Sequence, residues 1–504
     1  MALRTRKEEV DVLIVGGGCS GTAAAWAAAK SGVRVLLVEE TPWLGGMISA
    51  AGVSCLDGNE GALGGGFFGT FRSAMETHYG GPEAVRTGWV SKTCFEPQVA
   101  AAWFAQAVEA KKVTRVHGAS LERVLREEDR IVGAVFREGE GILEVRARIT
   151  IEATEYGDVL ALGEVPFRMG RESQLQTGEA HAPAEPDDEV QDLTMVATLR
   201  RTPGSCATKV ALPMGESTAR FHNSTAVHAK DPDPERWNHA FHSWGAFLSY
   251  GLLPESPGGD EPASRGNLFM LNWPFHANDY PAQGLFGSLE ERAATLRAAK
   301  ARTLAFVHYM QTEMEHPEWG LAKNVYPTRD HLPLIPYVRE SRRVVPIRWL
   351  REEDVVPQDG AERNAIHADG IAVGDYYLDH HHAKDHNPPG ERLGESYPSN
   401  APFQVPYASL IPRDVDGLIA AEKSIGVTHI VNGCSRLQPV AMLVGEAAGI
   451  AAALAVGEGC APREVDVRKV QSVLLANGAQ IVPDRDCPGS APDFAARQRE
   501  LLGD

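Results

Sequence analysis

Apolar and polar positions form blocks at the start of the chain, and these blocks predict a strand, a helix and a second strand. Residues 10–15 (VDVLIV) are an apolar run of strand length, and the Ala-rich TAAAWAAAKSG at 22–32 has the length of a helix. A second apolar run, VRVLLVEE, follows at 33–40. Strands that alternate with helices are typical of an α/β fold with a parallel sheet.

The turn between the first strand and the helix carries the spacing G-x-G-x-x-G, at Gly16, Gly18 and Gly21. The first glycine permits a tight turn, the second lets the backbone approach a pyrophosphate, and the third lets the helix pack on the strand. Glu39 ends the second strand, where it can accept hydrogen bonds from a ribose. The four parts together predict a dinucleotide site, with a purely structural turn as the alternative.

The same spacing recurs at Gly64, Gly66 and Gly69 in GALGGGFFG. No strand-like run precedes it, and no acidic residue follows at the required distance. We therefore interpret this segment as a flexible loop and predict no separate nicotinamide-binding domain.

Two later segments favour FAD over NAD. LGGMISAAGV (44–53) follows the second strand directly, and its Gly45 and Gly46 suit a loop that runs beside a flavin. The run RARITIEATEYGD (146–158) predicts a strand, and its end resembles the strand that returns to FAD in flavoproteins of the glutathione reductase type. That resemblance implies further cofactor contacts at Ala153, Thr154, Gly157 and Asp158.

The chain more closely resembles a family of FAD-dependent oxidoreductases whose members are often labelled xanthan-lyase-related. The segments that carry this resemblance are IEATEYGDVLALGEVPFRMGRES, PLIPYVRESRRV, PFQVPYASLIP and GLIAAEKSIGVTHIVNGCSRLQPVAMLVGEAAGIAAALA. The resemblance implies FAD as the cofactor and does not identify a substrate.

The resemblance also implies an α/β fold in which a Rossmann-like FAD-binding domain is split by a large inserted α+β substrate domain. A chain of 504 residues is longer than one hydrophobic core usually supports. We expect residues 1–165 to form the first part of the FAD domain and 166–404 the substrate or cap domain. Residues 405–460 are the returning part of the FAD domain, and 461–504 a C-terminal helical segment.

In the returning part, GLIAAE (417–422) predicts a strand, and an apolar helix follows from about Pro439. We expect the helix start near Gln438 to face the pyrimidine side of the flavin with its partial positive charge. Glu422 stands where relatives often carry Asp, and we include it in the predicted cofactor site. The spacing of Gly445 and Gly449 predicts close packing of this helix on the sheet.

YYLDHHHAKDH (376–386) contains four histidines and two aspartates. If the preceding strand continues through it, alternation places His380 and His382 on one face and His381 with Asp379 on the other. Paired imidazoles beside a flavin can take a hydroxyl or amine proton as hydride leaves for flavin N5. A zinc site and a polar surface are the alternatives. Because adjacent ligands on a strand point to opposite faces, we predict no metal.

His429 and Arg436 lie just before the predicted flavin-facing helix. Their position makes His429 a further candidate base. Arg436 is a candidate partner for the substrate or for negative charge on the flavin.

Charge and cysteine content limit the partners. The formal net charge of −18 at pH 7 argues against nucleic acid and anionic membranes. Seven scattered cysteines and a charged N-terminus predict a reduced, cytoplasmic protein. The long apolar stretch 437–457 contains Glu446 and predicts a buried helix rather than a membrane span. The sequence leaves a homodimer open.

These features predict an FAD-dependent dehydrogenase or oxidase that removes hydride from a C–H bond next to a hydroxyl or amine of a polar small molecule, with a sugar as one candidate. Without a second nucleotide domain, we expect the electrons to pass to oxygen, a quinone, another protein or a diffusible nicotinamide. Two alternatives are a flavin monooxygenase reduced by NAD(P)H and a non-catalytic FAD-binding redox protein.

Overall fold

The computed structural model describes residues 4–58, 65–86, 93–223, 244–258, 263–274, 277–358, 361, 363–382, 397–484 and 486–503. The strands are β1 (Arg4–Val15), β2 (Val35–Glu39), β3 (Thr114–His117), β4 (Ala119–Glu127), β5 (Arg130–Glu138), β6 (Gly141–Glu152), β7 (Phe167–Arg168), β8 (Leu193–Thr194), β9 (Ala197–Arg201), β10 (Leu252–Glu255), β11 (Ser264–Leu271), β12 (Asp279–Tyr280), β13 (Trp319–Leu321), β14 (Arg343–Val344), β15 (Gly370–Gly374), β16 (Phe403–Pro406) and β17 (Leu418–Ala420).

The α-helices are α1 (Cys19–Lys30), α2 (Gly66–Tyr79), α3 (Pro97–Glu109), α4 (Asp158–Leu162), α5 (Gln174–Thr177), α6 (Trp244–Gly251), α7 (Leu289–Thr312), α8 (Glu352–Val355), α9 (His429–Ser435), α10 (Gln438–Glu458), α11 (Val467–Ala476) and α12 (Phe494–Leu502).

Seven strands form the main sheet, in the order β3-β2-β1-β6-β5-β4, with β17 also paired to β6. β1 lies between β2 and β6 and is parallel to both, and β2 is parallel to β3. β5 is antiparallel to the first half of β6, while β17 is parallel to its last three residues. The late segment around β17 therefore returns to the sheet formed by the first part of the chain, which gives the predicted α/β Rossmann-like fold.

Helices α1 and α10 pack directly on one another. A Cβ atom on Gly445 would lie 2.1 Å from the carbonyl oxygen of Ser20, and one on Gly449 would lie 2.2 Å from that of Ala24. The two glycines were expected to face the sheet, and that interpretation is wrong because they face α1. Two helices can approach this closely only where one presents no side chain.

The second glycine-rich segment is not a loop where the structure describes it. Gly66 and Gly69 lie in α2, and Gly64 falls outside the described residues. Gly66 has a φ of +58° and begins the helix against α10, where the Phe67 amide donates to Glu446 Oε2 at 2.7 Å. The loop interpretation is wrong from residue 66 onward, because this buried carboxylate accepts the Phe67 amide in the first turn of the helix.

The inserted region has a core of its own. Strands β10, β11, β9 and β13 form an antiparallel sheet in that order, and α7 supplies further apolar residues to the same cluster. Large side chains buried there include Trp273, Trp319, Phe269 and Phe306. β15, by contrast, packs Ile371 and Val373 into the cluster that contains α1 and α10. The residue boundaries of the domains stay a prediction.

Helix α10 is long and apolar enough to cross a membrane by length and composition alone. However, 89% of its most apolar window is buried inside the protein, and Glu446 on it is fully buried. This is the environment of a helix in a protein core.

Candidate active site

The glycine-rich turn connects β1 to α1 and lies against the end of β6. Gly16 has a φ of +99°, and a Cβ atom there would lie 2.2 Å from the carbonyl oxygen of Ala153. A Cβ atom on Gly21 would lie 2.0 Å from the carbonyl oxygen of Gly16. Both positions therefore require glycine, as the sequence pattern predicts. We call residues 16–21, with Glu39 and Glu422, the cradle.

Glu39 closes one side of the cradle. Its Oε2 accepts a hydrogen bond from the Gly17 amide at 2.6 Å, and its Oε1 accepts one from the Thr41 amide at 2.8 Å. Burial raises the pKa of this carboxyl. A groove beside Glu39 is lined by apolar side chains, which include Val15, Val38, Ala119, Leu121, Phe136 and Tyr156. A carboxylate at the edge of an apolar groove suits a ribose with its adenine base.

The N-terminus of α1 holds an anion from the chain itself, the carboxylate of Glu422. Glu422 Oε2 accepts a hydrogen bond from the Ser20 amide at 2.9 Å, and it lies 3.0 Å from where a Cβ atom on Gly18 would be. Lys423 Nζ donates to Glu155 at 2.7 Å and to Glu422 at 3.1 Å. Because a helix N-terminus favours negative charge, Glu422 shows that this position accepts an anion such as a phosphate.

Three polar side-chain atoms near the cradle are buried without a hydrogen-bond partner among the described residues. They are Ser20 Oγ, Glu155 Oε1 and Gln438 Nε2. Leaving such an atom unpaired costs about 1–3 kcal/mol, so a bound polar group is expected to pair with them. Gly46 leaves the space beside Glu155, since a Cβ atom there would lie 2.7 Å from Glu155 Oε1. The residues present thus fit the diphosphate, ribityl and ring oxygens of FAD.

The N-terminus of α10 is hydrogen-bonded to Asp57, which follows the glycine-rich segment 44–53. Gln438 Oε1 accepts a hydrogen bond from the Asp57 amide at 3.0 Å, and both residues are buried. Burial, opposed by Arg436, raises the pKa of Asp57 to about 6. A carboxyl with a raised pKa therefore lies beside the helix start that was predicted to face the flavin.

At the end of β6, the predicted cofactor residues have protein partners. Thr154 Oγ1 accepts a hydrogen bond from the Asp158 amide at 2.9 Å, and Gly157 has a φ of +68°. The Asp158 carboxylate pairs with Arg292 at 2.9 Å and with Arg342 at 3.0 Å. These ion pairs attach the inserted region to the main sheet. The cofactor role of Asp158 stays a prediction.

The described part of the histidine-rich segment, residues 376–382, is not a strand. β15 ends at Gly374, and residues 375–382 have no regular secondary structure, so the expected continuation of the strand is wrong. Hydrogen bonds to buried carboxylates hold the segment instead. His381 Nε2 bonds Asp379 at 2.8 Å, and His381 Nδ1 bonds Asp279 at 3.1 Å. Asp385 and His386 lie outside the described residues.

His380, His382 and His429 come together, and we call these three residues the histidine centre. One ring nitrogen from each lies within 4.8 Å of the others. The rings of His380 and His429 are perpendicular, with centroids 4.6 Å apart, and those of His382 and His429 are 6.2 Å apart. The predicted grouping of His380 with His382 is confirmed, and α9 adds His429 through the tertiary fold.

Two of these imidazoles are oriented by acceptors behind them. His380 Nε2 lies 3.0 Å from the carbonyl oxygen of Ile430, and His429 Nδ1 lies 3.0 Å from Glu340 Oε2. Because a carbonyl and a carboxylate accept hydrogen bonds, these two nitrogens carry the protons. In the neutral rings, Nδ1 of His380 and Nε2 of His429 then hold the lone pairs. Despite burial, His429 and Arg343 lower the pKa of Glu340.

Arg436 connects the histidine segment to the start of α10. Its guanidinium donates to Asp379 Oδ2 at 2.8 Å and to the Tyr337 hydroxyl at 2.6 Å. Burial alone would raise the pKa of Asp379, but His381 and Arg436 hold it below its usual range. Arg436 therefore stays paired with a buried carboxylate two residues before α10, the helix predicted to face the flavin.

Sequence reasoning missed two residues of this region. Glu340 lies in the segment PLIPYVRESRRV, and Asp57 follows the glycine-rich segment 44–53. Period-two alternation did group His381 with Asp379, and that pairing is present. A lone acidic residue gives no comparable signal, because only the fold shows what it faces.

Comparison with known proteins agrees with this geometry. Residues 11–474 match the model of the family described as FAD dependent oxidoreductase. No curated protein matches the chain.

Solved structures with similar folds include a geranylgeranyl bacteriochlorophyll reductase-like protein (Ta0516) from Thermoplasma acidophilum, at 12% identity and a TM-score of 0.36, covering 99% of this chain and 88% of the other. The flavin-dependent brominase Bmp2 has 11% identity and a TM-score of 0.37, covering 93% and 84%. OxyS anhydrotetracycline hydroxylase from Streptomyces rimosus has 13% identity and a TM-score of 0.37, covering 98% and 72%.

Proposed function

Since the chain belongs to the FAD dependent oxidoreductase family, we propose that it oxidises a C–H bond next to a hydroxyl or amine of a polar, sugar-like small molecule. The observation that carries this proposal is the connection through Arg436. That side chain joins the start of α10 to Asp379, the residue before the histidine centre. The predicted flavin position and a group of oriented imidazoles are thereby held in one buried network.

The cradle would hold FAD. Glu39 would receive the ribose and the N-terminus of α1 the diphosphate, with Glu422 moving toward other donors such as Lys423. Gln438 Nε2 offers a donor to a ring oxygen. When bound, FAD supplies the hydride-accepting atom N5.

The histidine centre is where the substrate hydroxyl or amine would lose its proton. His429 is the best-oriented imidazole, because Glu340 holds its Nδ1 proton and Arg343 in turn pairs with Glu340 at 3.2 Å. A fixed tautomer presents the opposite nitrogen to the substrate. His381 is less suited, since both of its nitrogens already contact carboxylates.

The side chains near Asp57 support a polar substrate. Tyr376 and Tyr377 stack with centroids 4.2 Å apart, and their hydroxyls lie 3.0 Å from each other. Tyr377 is 47% exposed, so this stack borders solvent. Aromatic faces beside hydroxyl and carboxyl groups suit the mixed apolar and polar faces of a sugar or an amino alcohol.

An anaerobic half-reaction tests this function. The FAD-loaded protein would be mixed with polyols, sugars, amines and hydroxy acids, and separately with NADPH, while the visible flavin absorption is followed. We expect bleaching by one organic class without NADPH. Bleaching by NADPH alone would identify a monooxygenase, and bleaching by nothing would identify a non-catalytic flavoprotein. Either result would contradict the proposal. Oxygen, a quinone, a protein and a nicotinamide would then be compared as electron acceptors.

A further inference from the structure

We propose that His380, His382 and His429 bind a divalent transition-metal ion. Its part in the reaction rests on the proposed function: with an ion bound, the lone pair of His429 would coordinate the metal, and the ion, rather than that imidazole, would favour loss of the proton from a bound substrate hydroxyl or amine. The sequence predicted no metal because neighbouring ligands on a strand diverge. The segment is not a strand, and that objection does not apply to it.

The spacing of the three imidazoles suits one ion. A tetrahedral ion with metal–nitrogen bonds of about 2.0–2.1 Å brings its nitrogen ligands to roughly 3.4 Å from one another. The three ring nitrogens already lie within 4.8 Å, and small side-chain rotations would close the difference. The three residues are also largely buried, which excludes competing water.

The groups behind the imidazoles are those that accompany metal ligands in proteins. Metal-binding histidines usually donate their second nitrogen to a carboxylate or a backbone carbonyl. His429 has Glu340 in this position and His380 has the carbonyl of Ile430. Glu340 is itself held by Arg343 and by the Gln191 amide, at 3.2 Å and 3.0 Å. These hydrogen bonds therefore select the nitrogen that each of the two imidazoles would offer to a metal.

The charges next to His429 favour a cation. Glu340 bonds its ring, and Glu172 Oε2 accepts a hydrogen bond from its backbone amide at 2.9 Å. Arg343 pairs with both carboxylates, at 3.2 Å and 2.8 Å. Two buried carboxylates lie beside this imidazole, and their negative charge would favour a bound cation.

The three imidazole ligands limit which metal ions can bind. Three imidazoles suit zinc, iron, nickel or copper, whereas calcium and magnesium require oxygen ligands. Three protein ligands also leave a fourth position of a tetrahedral ion, as in catalytic zinc sites. A substrate hydroxyl or amine would fit that position and would be placed beside the start of α10.

Zinc titration of the protein without an affinity tag tests the site. FAD-loaded protein would be treated with chelator, desalted and titrated with Zn²⁺, with bound metal measured by mass spectrometry and affinity by competition with a chromophoric chelator. We expect one zinc per chain in the wild type and little in His380→Gln, His382→Gln or His429→Gln. Glu340→Gln should retain all three ligands and weaken zinc binding about 10–100-fold.

His308→Gln is the matched control. His308 lies on α7, far along the chain from the site, with its Nδ1 bonded to the carbonyl of Val210, and its loss should leave zinc binding unchanged. Bound FAD in each variant reports that the fold is intact. Equal zinc binding by the wild type and His429→Gln would overturn the inference, as would no zinc binding by the wild type.

The experiments can contradict the metal site and the proposed function independently. Zinc binding is read without turnover, so one zinc per chain in a protein that no substrate bleaches would support the site and contradict the function. Substrate bleaching by a protein that binds no zinc would support the function and overturn the metal site.

Discussion

The cradle is formed mainly by backbone atoms, whereas the histidine centre is formed by side chains. The cradle consists mainly of backbone, since Gly16 and Gly21 touch carbonyl oxygens and the α1 amides face an anion. The histidine centre consists of side chains from two distant segments, oriented by Glu340 from a third. A methyl group added to a glycine of the cradle should therefore abolish FAD binding. Replacement of an imidazole in the histidine centre should slow the reaction while FAD stays bound.

The largest expected effect comes from Gly21→Ala. The added Cβ atom would lie 2.0 Å from the carbonyl oxygen of Gly16, so the turn and α1 must separate. We expect the purified variant to contain no FAD, measured as the ratio of flavin to protein absorbance. Gly457→Ala on α10 is the control, because its Cβ atom meets nothing within 4 Å and FAD should be retained. Full FAD content in Gly21→Ala would contradict this view of the cradle.

Arg436→Met should lower stability through the buried network. The change removes one cation from Asp379 and leaves His381 as its hydrogen-bonded partner. Removing one partner of a buried ion pair costs about 3–5 kcal/mol in the free energy of unfolding, measured by urea denaturation. Arg413→Met removes an exposed ion pair with Asp414 and should cause no measurable change. Equal effects in the two variants would argue against the buried network.

Asp57→Asn should change the pH dependence of stability. Burial raises the folded-state pKa of Asp57 to about 6, above its unfolded value, so the wild type loses stability as pH rises from about 4 to about 6. A difference of about two pKa units corresponds to about 3 kcal/mol in the free energy of unfolding. Asp57→Asn should therefore be more stable than the wild type by about this amount above pH 6, and should lack this advantage below pH 4. Urea denaturation of both proteins at pH 4 and pH 8 measures this difference. A difference independent of pH would contradict the account.

The smallest expected effect is that of Glu39→Gln. The amide keeps an acceptor for Gly17 and loses the negative charge, so the turn persists while the hydrogen bonds to a ribose weaken. We expect FAD to bind about tenfold more weakly, measured by fluorescence titration of the FAD-free protein. An unchanged dissociation constant would show that the ribose does not reach Glu39.

The fold and the cradle could be predicted from the sequence because their signals are local. The apolar run at 10–15, the glycines at 16, 18 and 21, and Glu39 all lie within one strand-turn-helix-strand unit. The return of β17 beside β6 was implied by the family resemblance and is present. Close packing at Gly445 and Gly449 was predicted correctly, but the element they pack against is α1 and not the sheet. The spacing of two glycines indicates that a helix face approaches a neighbour, and it does not identify that neighbour.

The histidine centre could be predicted only in part. Alternation grouped His380 with His382 for a reason that was wrong, because buried charges rather than a β-ladder fix residues 375–382. The approach of Glu340 to His429 spans 89 residues of sequence and depends on how α9 meets the inserted region. No periodic pattern carries information about such a contact.

The anaerobic absorption spectrum of FAD-loaded His429→Gln, with the substrate that bleaches the wild type, tests the central claim most directly. The account predicts that the variant keeps the full flavin absorption of the wild type before substrate is added. It should then bleach about 10²–10⁴-fold more slowly. Bleaching at the wild-type rate would contradict the claim that the histidine centre is where the substrate loses its proton.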